Sequence, residues 1–284
     1  MELQMKSIWS LVRQSTNFEI IYVDDGSNQW YRDIYKNTLS RIPLKIQEKI
    51  SIYSLPWKKN QKNRVCQARN LWAQMARNNF LIFIDQETLI NPYSIKNLET
   101  KVSKTVLFWP YYGYNNQKKE LSSLIIKEFF QTWNISSPLF SDFRIGNKNL
   151  FESKKNWQYF CGSNFFIQKD IYFSVWGFDE TIESWWDEDV EFWFRLYKSG
   201  ADLKFCANIG VLNLSKKLYS FPYNILEEKD VDSLSKNCFR NIKKHSEKEY
   251  GSYVKDRFEY ISEAYKKNIF PELSLFLSSF HDNA

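Results

Sequence analysis

Two hydrophobic rhythms alternate along this chain. Leu3, Ile8, Leu11 and Val12 recur at roughly helical spacing and predict a helix over residues 3–15. The apolar run 18–23 predicts a strand, closed by Asp25-Gly-Ser-Asn28, a turn or helix N-cap signal. A helix over 29–39 and a short strand over 49–54 follow. Residues 67–77 are good helix formers and lead directly into a second apolar strand, 80–84. Asn91-Pro-Tyr-Ser94 opens another helix, and Thr105 to Pro110 reads as a strand. From Gly113 to Trp157 the pattern is irregular, polar and aromatic, as expected of an insertion of loops and short helices. Residues 161–168 read as a strand, and 188–198 as a helix stopped by Gly200. Beyond Ser215 the chain turns lysine-rich, with candidate helices over 237–250 and 257–267.

Strands alternating with helices imply an α/β fold, a mostly parallel sheet flanked by helices. The change of character after Ser215 divides the chain into a main domain, 1–215, and a helical C-terminal extension, 216–284. No internal repeat or low-complexity tract interrupts either part.

Composition narrows the chemistry. Of 284 residues, 43% are hydrophobic and 25% charged, enough for a core and ordinary for a globular protein. No run approaches the eighteen or so apolar residues of a membrane-spanning helix, and the first residues lack a signal pattern. A cytoplasmic location is expected, with peripheral association at the inner face of the membrane allowed by the net charge of +6. That charge is scattered and accompanies no recognition motif, so nucleic acid is not an expected partner. Cys66, Cys161, Cys206 and Cys238 contain no C-x-x-C pair, which points to reduced thiols. The two histidines, His245 and His281, leave little room for Ser-His-Asp hydrolysis or histidine-rich zinc sites. Carboxylates must carry any chemistry. Aromatic residues reach 18%, which suits carbohydrate binding, although most of these rings are expected in the core.

The carboxylates lie at informative places. Phe18-Glu-Ile-Ile-Tyr-Val-Asp-Asp-Gly-Ser27 and Phe80-Leu-Ile-Phe-Ile-Asp-Gln-Glu87 each end an apolar strand in acids. The carboxyl ends of sheet strands open onto the ligand crevice of α/β proteins. A third segment, Trp176-Gly-Phe-Asp-Glu180 followed by Trp185-Trp-Asp-Glu-Asp189, adds acids at the head of a predicted helix. Together these blocks, over about residues 3–215, resemble the nucleotide-sugar glycosyltransferases of the GT-A fold. The match is to family 2 and its relatives with a galactosyltransferase-type C-terminal half.

The resemblance implies a role for each block. Asp24 and Asp25 correspond to the acids that bind the nucleotide, with Asp25 on the uracil edge; a carboxylate there also suits an N-cap. Asp85 and Glu87 stand for the family's D-x-D, which holds a divalent Mg²⁺ or Mn²⁺ against the donor diphosphate. Here the second acid is Glu, and without a histidine partner weak, donor-dependent metal binding is expected. Arg69, in Ala68-Arg-Asn70, is expected on the diphosphate or in a salt bridge. The segments 160–167, 175–180 and 185–195 resemble the G-G-N, G-G-F-D-E and W-G-x-E-D blocks. They imply Asp189 as the base that deprotonates the acceptor hydroxyl, Glu188 as its partner, and Asn164, Trp185 and Trp186 as acceptor contacts. The helix dipole favours negative charge at Asp189; the bland alternative is a pair of acids that only stabilises the helix.

Three departures accompany the resemblance. Trp186 and Asp187 replace glycines before the E-D pair, which implies a reshaped acceptor pocket. Asn213 and Lys216 replace the histidines of a V-x-H-L-x-H stretch, leaving Lys216 to supply charge in place of metal. The family's first strand has no counterpart ahead of the helix at 3–15. The edges of 18–23 and 80–84 are then expected to face each other across one strand's width, roughly 9–10 Å, unless they pair directly, another segment fills the gap, or about fifteen residues lie upstream. The last is the expectation.

The reading is an inverting glycosyltransferase of hexosyl or N-acetylhexosaminyl type. It would move a sugar from a nucleotide donor, UDP-linked, to a hydroxyl of a glycan or lipid-linked glycan in polysaccharide or glycoconjugate synthesis. The rival is a non-catalytic GT-A domain that binds a glycan or a partner protein.

Overall fold

A computed structural model describes residues 2–14, 17–27, 29–56, 64–91, 94–99, 105–109, 111–114, 140–141, 156–182, 187–206, 209–213, 237, 240–241, 243–245 and 250–251. In chain order the elements are α1 (Glu2–Val12), β1 (Ile20–Asp24), α2 (Gln29–Leu39), α3 (Leu44–Gln47), β2 (Ile50–Ser54), α4 (Val65–Met75) and β3 (Phe80–Phe83). Then come β4 (Thr88–Ile90), α5 (Ser94–Glu99), β5 (Thr105–Phe108), β6 (Tyr111–Tyr114), β7 (Phe140–Ser141) and a 3₁₀ turn, Asn156–Tyr159. β8 (Phe165–Gln168), α6 (Lys169–Ser174), α7 (Glu188–Lys198), β9 (Asp202–Phe205) and β10 (Val211–Asn213) complete the order. Residues 237, 240–241, 243–245 and 250–251 are helical.

The central sheet runs β3–β8–β5–β9. Its inner strands β3, β8 and β5 are largely apolar because each face meets a separate core, while the edge strand β9 carries Asp202 and Lys204. Leu81, Phe83, Val106, Phe108, Phe165 and Ile167 enter the cluster that also holds Val190, Phe192, Trp193, Phe194 and Leu196 of α7. Ile82, Leu107, Trp109 and Phe166, the intervening positions, enter a second cluster with Ile90, Ile95 and Leu98. Period-two alternation therefore sorts one strand's residues between two cores. Each such ring or aliphatic chain removed from water contributes about 1.5–3 kcal/mol.

The α/β class and the flanking helices are as the sequence predicts. The expectation of a mostly parallel sheet needs refinement, since the described ladders are mixed. β1–β2, β5–β9 and β6–β10 are parallel; β3–β8, β5–β8, β4–β10 and β6–β7 are antiparallel. In the central sheet the reason is β8, which runs against the direction of both its neighbours. β1 and β2 form a sheet of two. Among the described residues no ladder joins β1 to β3. Side chains cross between the two segments instead: Tyr22 Oη donates to Gln86 Oε1 at 3.2 Å.

α1 lies against β4, and polar residues fasten it there. Ser7 Oγ donates to Thr88 O, Ser10 Oγ accepts from Ile90 N, and Gln14 Nε2 donates to Asn91 O. Ser7 and Ser10 lie on one side of the helix, Gln14 lies two residues past its end, and all three are buried. α7 ends as expected at Gly200, whose φ of 80° only glycine adopts freely. Ala201 N then donates back to Leu196 O. Residues 257–267, Lys216 and the boundary at 215 lie outside the described residues.

Candidate active site

The turn after β1 separates its two acids. Asp24 is buried, and its Oδ1 accepts from Ser27 N at 2.9 Å while its Oδ2 accepts from Arg32 Nε at 3.1 Å. Burial alone would raise this carboxyl, but the Ser27 and Arg32 bonds hold it below the usual range. Asp24 therefore closes the turn. Asp25, more open, faces the start of α4, where Arg64 Nε donates to its Oδ1 at 2.8 Å. Arg64 also donates to Pro56 O, so one buried guanidinium ties β1, β2 and α4 together. The sequence reading gave no role to Arg64, whose partner lies 39 positions away.

Asp85 and Glu87 follow β3 at its carboxyl end. Because β8 is antiparallel to β3 with Phe83 opposite Phe165, the residues just before β8 come beside them. Asn164 N donates to Phe83 O at 2.6 Å, and Ser163 Oγ donates to Asp85 Oδ2 at 2.6 Å. Ser163 is thus a site residue that the motif reading passed over. Asn164 has a φ of 65° and is buried; among the described residues its Oδ1 has no hydrogen-bond partner. Burial and the adjacent Asp85 push the Glu87 carboxyl up. Two carboxylates that repel each other at a strand end fit a hard cation. No group of three or more His, Cys, Asp or Glu among the described residues is placed to hold one alone.

Arg69 links these acids to the head of α7. Its Nη1 donates to Glu188 Oε1 at 3.1 Å, both side chains being buried, and its guanidinium lies over the Phe178 ring. A Cβ at Gly162 would fall on that guanidinium, so the loop before β8 needs glycine there. Burial opposes the charge, but Glu188, Asp85 and Asp189 all favour it and keep Arg69 ionised. Burial and the neighbouring Asp189 push the Glu188 carboxyl up to about 7, against the pull of Arg69. Asp189 is half-buried in the first turn of α7, where its Oδ1 accepts from Val190 N at 2.8 Å. Glu188 thus pairs with one buried cation, whose charge Asp85, far upstream in the chain, and the adjacent Asp189 also favour.

The loop between α6 and α7 is pinned from both sides. Asn70 of α4 donates to Phe178 O and Glu180 Oε1, and accepts from Phe178 N and Tyr172 Oη. Gly177, at φ 65°, leaves the space that Asn70 Oδ1 fills. Trp193 Nε1 on α7 donates to Cys161 O, fastening the helix to the loop that carries Ser163 and Asn164. Behind α7, Glu191 is fully buried and accepts from Arg195, Lys244 and His245. Burial alone would raise Glu191, yet those bonds and the charges of Arg195 and Lys244 hold it well below the usual carboxylate range. Trp185 and Trp186, expected at the acceptor, lie outside the described residues. Cys66, Cys161 and Cys206 form no disulfide. No described helix is long and apolar enough to cross a membrane.

Comparison with known proteins bears on the fold and the family. Validoxylamine A glucosyltransferase of Streptomyces hygroscopicus subsp. jinggangensis is 27% identical over 262 residues, 84% of this chain and 57% of that protein. Chondroitin synthase of Pasteurella multocida is 28% identical over 213 residues, 67% of this chain and 21% of that one. The chain spans about half the length of the glucosyltransferase. Among solved structures, GalNAc-T7 with UDP, GalNAc and Mn²⁺ matches with a TM-score of 0.56 at 16% identity, over 84% of this chain and 44% of that chain. S. aureus TarS 1–349 in complex with UDP-GlcNAc matches at 0.54 and 14%, over 92% and 71%. These likenesses support the GT-A fold. The model of the glycosyl transferase family 2 matches residues 5–174, more than half of the 284, and the chain belongs to that family.

Proposed function

We propose that this protein transfers a sugar from a nucleotide-sugar donor, UDP-linked, to a hydroxyl of a glycan acceptor, with inversion at the anomeric carbon. The observation that carries this reading is the buried Arg69–Glu188 ion pair, with Asp85 and Asp189 close enough to favour the Arg69 charge. It joins the strand-end acids to the acids at the head of α7 in one charged cluster. Asp189 takes the proton of the acceptor hydroxyl as that oxygen bonds the anomeric carbon, and the bond from carbon to the diphosphate oxygen breaks. The nucleoside diphosphate leaves with the electron pair. Asp25, open at the end of β1, is suited to accept from a pyrimidine N–H. The unpartnered Oδ1 of Asn164 suits a sugar hydroxyl.

Asp85 and Glu87 would hold a divalent cation, whose charge would neutralise the departing diphosphate. Ser163 orients Asp85 by its hydrogen bond. Arg69 is already paired with Glu188, so its part is to fix that carboxylate rather than to travel to the donor. UDP-GlcNAc and UDP-GalNAc are the donors to try first, given the sugars named for the structural neighbours; polysaccharide or glycoconjugate synthesis is the proposed setting.

The test is release of UDP from a panel of nucleotide sugars, with and without Mn²⁺. The reading predicts release from at least one donor, stimulated by the metal. Binding of UDP without release from any donor would establish the binding-only alternative.

A further inference from the structure

Asp187 stands where the family resemblance has a glycine, and it keeps a glycine's backbone. Its φ of 68° lies in the left-handed region, which Asp tolerates better than most residues but rarely adopts. It precedes α7, yet its carboxylate makes no capping bond to the helix. That carboxylate is instead fully buried, with Oδ2 accepting from Tyr250 Oη at 2.8 Å and from Asn241 Nδ2 at 2.9 Å. A strained backbone, a forgone cap and a desolvated charge are thus all offset by residues 54 and 63 positions downstream.

The far end of the tether is packed among aromatic rings. Tyr250 stacks on Trp157, with centroids 5.9 Å apart and planes at 10°, and meets Phe194 edge-on at 5.0 Å. The same segment holds α7 one turn further on, where Lys244 and His245 reach Glu191. Lys244 also donates to Asp179 Oδ2 at 2.8 Å, and Arg240 donates to Thr181 O. Residues 240–250 therefore grip the loop before α7 at 179–181 and the helix itself at 187 and 191. Glu188 and Asp189 lie between those last two points of attachment.

We propose that Asp187, Tyr250 and Asn241 are positioning residues, a tether by which the C-terminal helical segment fixes the head of α7 and aims Asp189 at the acceptor hydroxyl. The proposal rests on the reading of Asp189 as the base. It assigns the C-terminal segment to the chemical step, rather than to donor binding or packing alone.

Two variants of the full chain test it. Asp187→Gly keeps the left-handed backbone and removes the carboxylate; Tyr250→Phe keeps the stack and removes the hydroxyl. With the donor that the wild type turns over, both should lower kcat by about 10- to 100-fold, the scale of a misplacement of roughly 1 Å. KM for the donor and UDP affinity by calorimetry should stay unchanged. Hydrogen exchange should quicken over 187–192 and stay unchanged over β8. Asp187→Asn, which tolerates the same backbone and still offers an acceptor to Tyr250, should recover most of the turnover. Wild-type kcat in Asp187→Gly, even with a lowered unfolding midpoint, would overturn the proposal and leave the tether a packing device. Should the wild type release no UDP from any donor, the proposed function itself fails. The exchange experiment then decides the tether by itself, and unchanged exchange over 187–192 refutes it.

Discussion

The strand-end acids and the acids at the head of α7 belong to one cluster but are held in opposite ways. Asp25 and Asp85 lie one or two residues past their strands, partly open, with Arg64 and Ser163 as side-chain partners. Glu188 is buried against Arg69 between Asp187 and Glu191, which are themselves buried and bonded to the C-terminal segment. Partly open carboxylates can take up a cation and, through it, a diphosphate. Carboxylates at the α7 head cannot shift without exposing several buried charges at once. The difference suits a division of labour in which one side accepts exchangeable charge and the other holds a fixed geometry.

The comparison can be broken most severely at Arg69. Arg69→Met leaves Glu188 buried without its cation, and the loss should be about 3–5 kcal/mol in urea unfolding. Adding Glu188→Gln should restore most of that stability, because both charges are then gone. A comparable effect is expected at Asn70, whose removal in Asn70→Ala strands Phe178 N, Phe178 O and Tyr172 Oη. Each buried group left unsatisfied costs on the order of 1–3 kcal/mol, read in the same way. Asn70 makes no bond to the strand-end acids, so UDP affinity measured below the unfolding transition should be unchanged in Asn70→Ala and altered in Arg69→Met, which removes a charge beside Asp85.

Acid pH gives the mildest probe. The Glu191 carboxyl is depressed below its ordinary value of 4.5, so its stabilisation is fully present above that pH. It is lost as pH falls below 4.5 towards the depressed value. The stability gap between wild type and Glu191→Gln should therefore be constant above about pH 5.5 and shrink on further acidification. A gap that widened in acid would mean that the carboxylate is not held by its cationic partners.

Much of this arrangement was legible in local pattern. The strands at 20–24 and 80–83 announce themselves as apolar runs ending in acids, and α2 and α7 fall where helical spacing and Gly200 put them. Three-residue strands such as β4 and β10 are too short to carry a period. α6 was missed because it follows β8 without a turn residue between them. The polar residues Ser7, Ser10 and Gln14 that fasten α1 and its end beside β4 leave no trace in the pattern of apolar positions. Partnerships across long separations were the least visible. Nothing near Asp25 signals Arg64, and nothing near Asp187 signals Tyr250, since only the fold brings them together. Even so, the glycine-like position of Asp187 was detectable, as a departure from the family pattern without its cause.

The central claim is that Asp189 is the base of a sugar transfer. Asp189→Asn, with the donor that the wild type turns over, tests it directly when UDP release and donor binding are measured side by side. The account predicts a fall in turnover of roughly 10²- to 10⁴-fold with donor affinity unchanged. Wild-type turnover in that variant would contradict it.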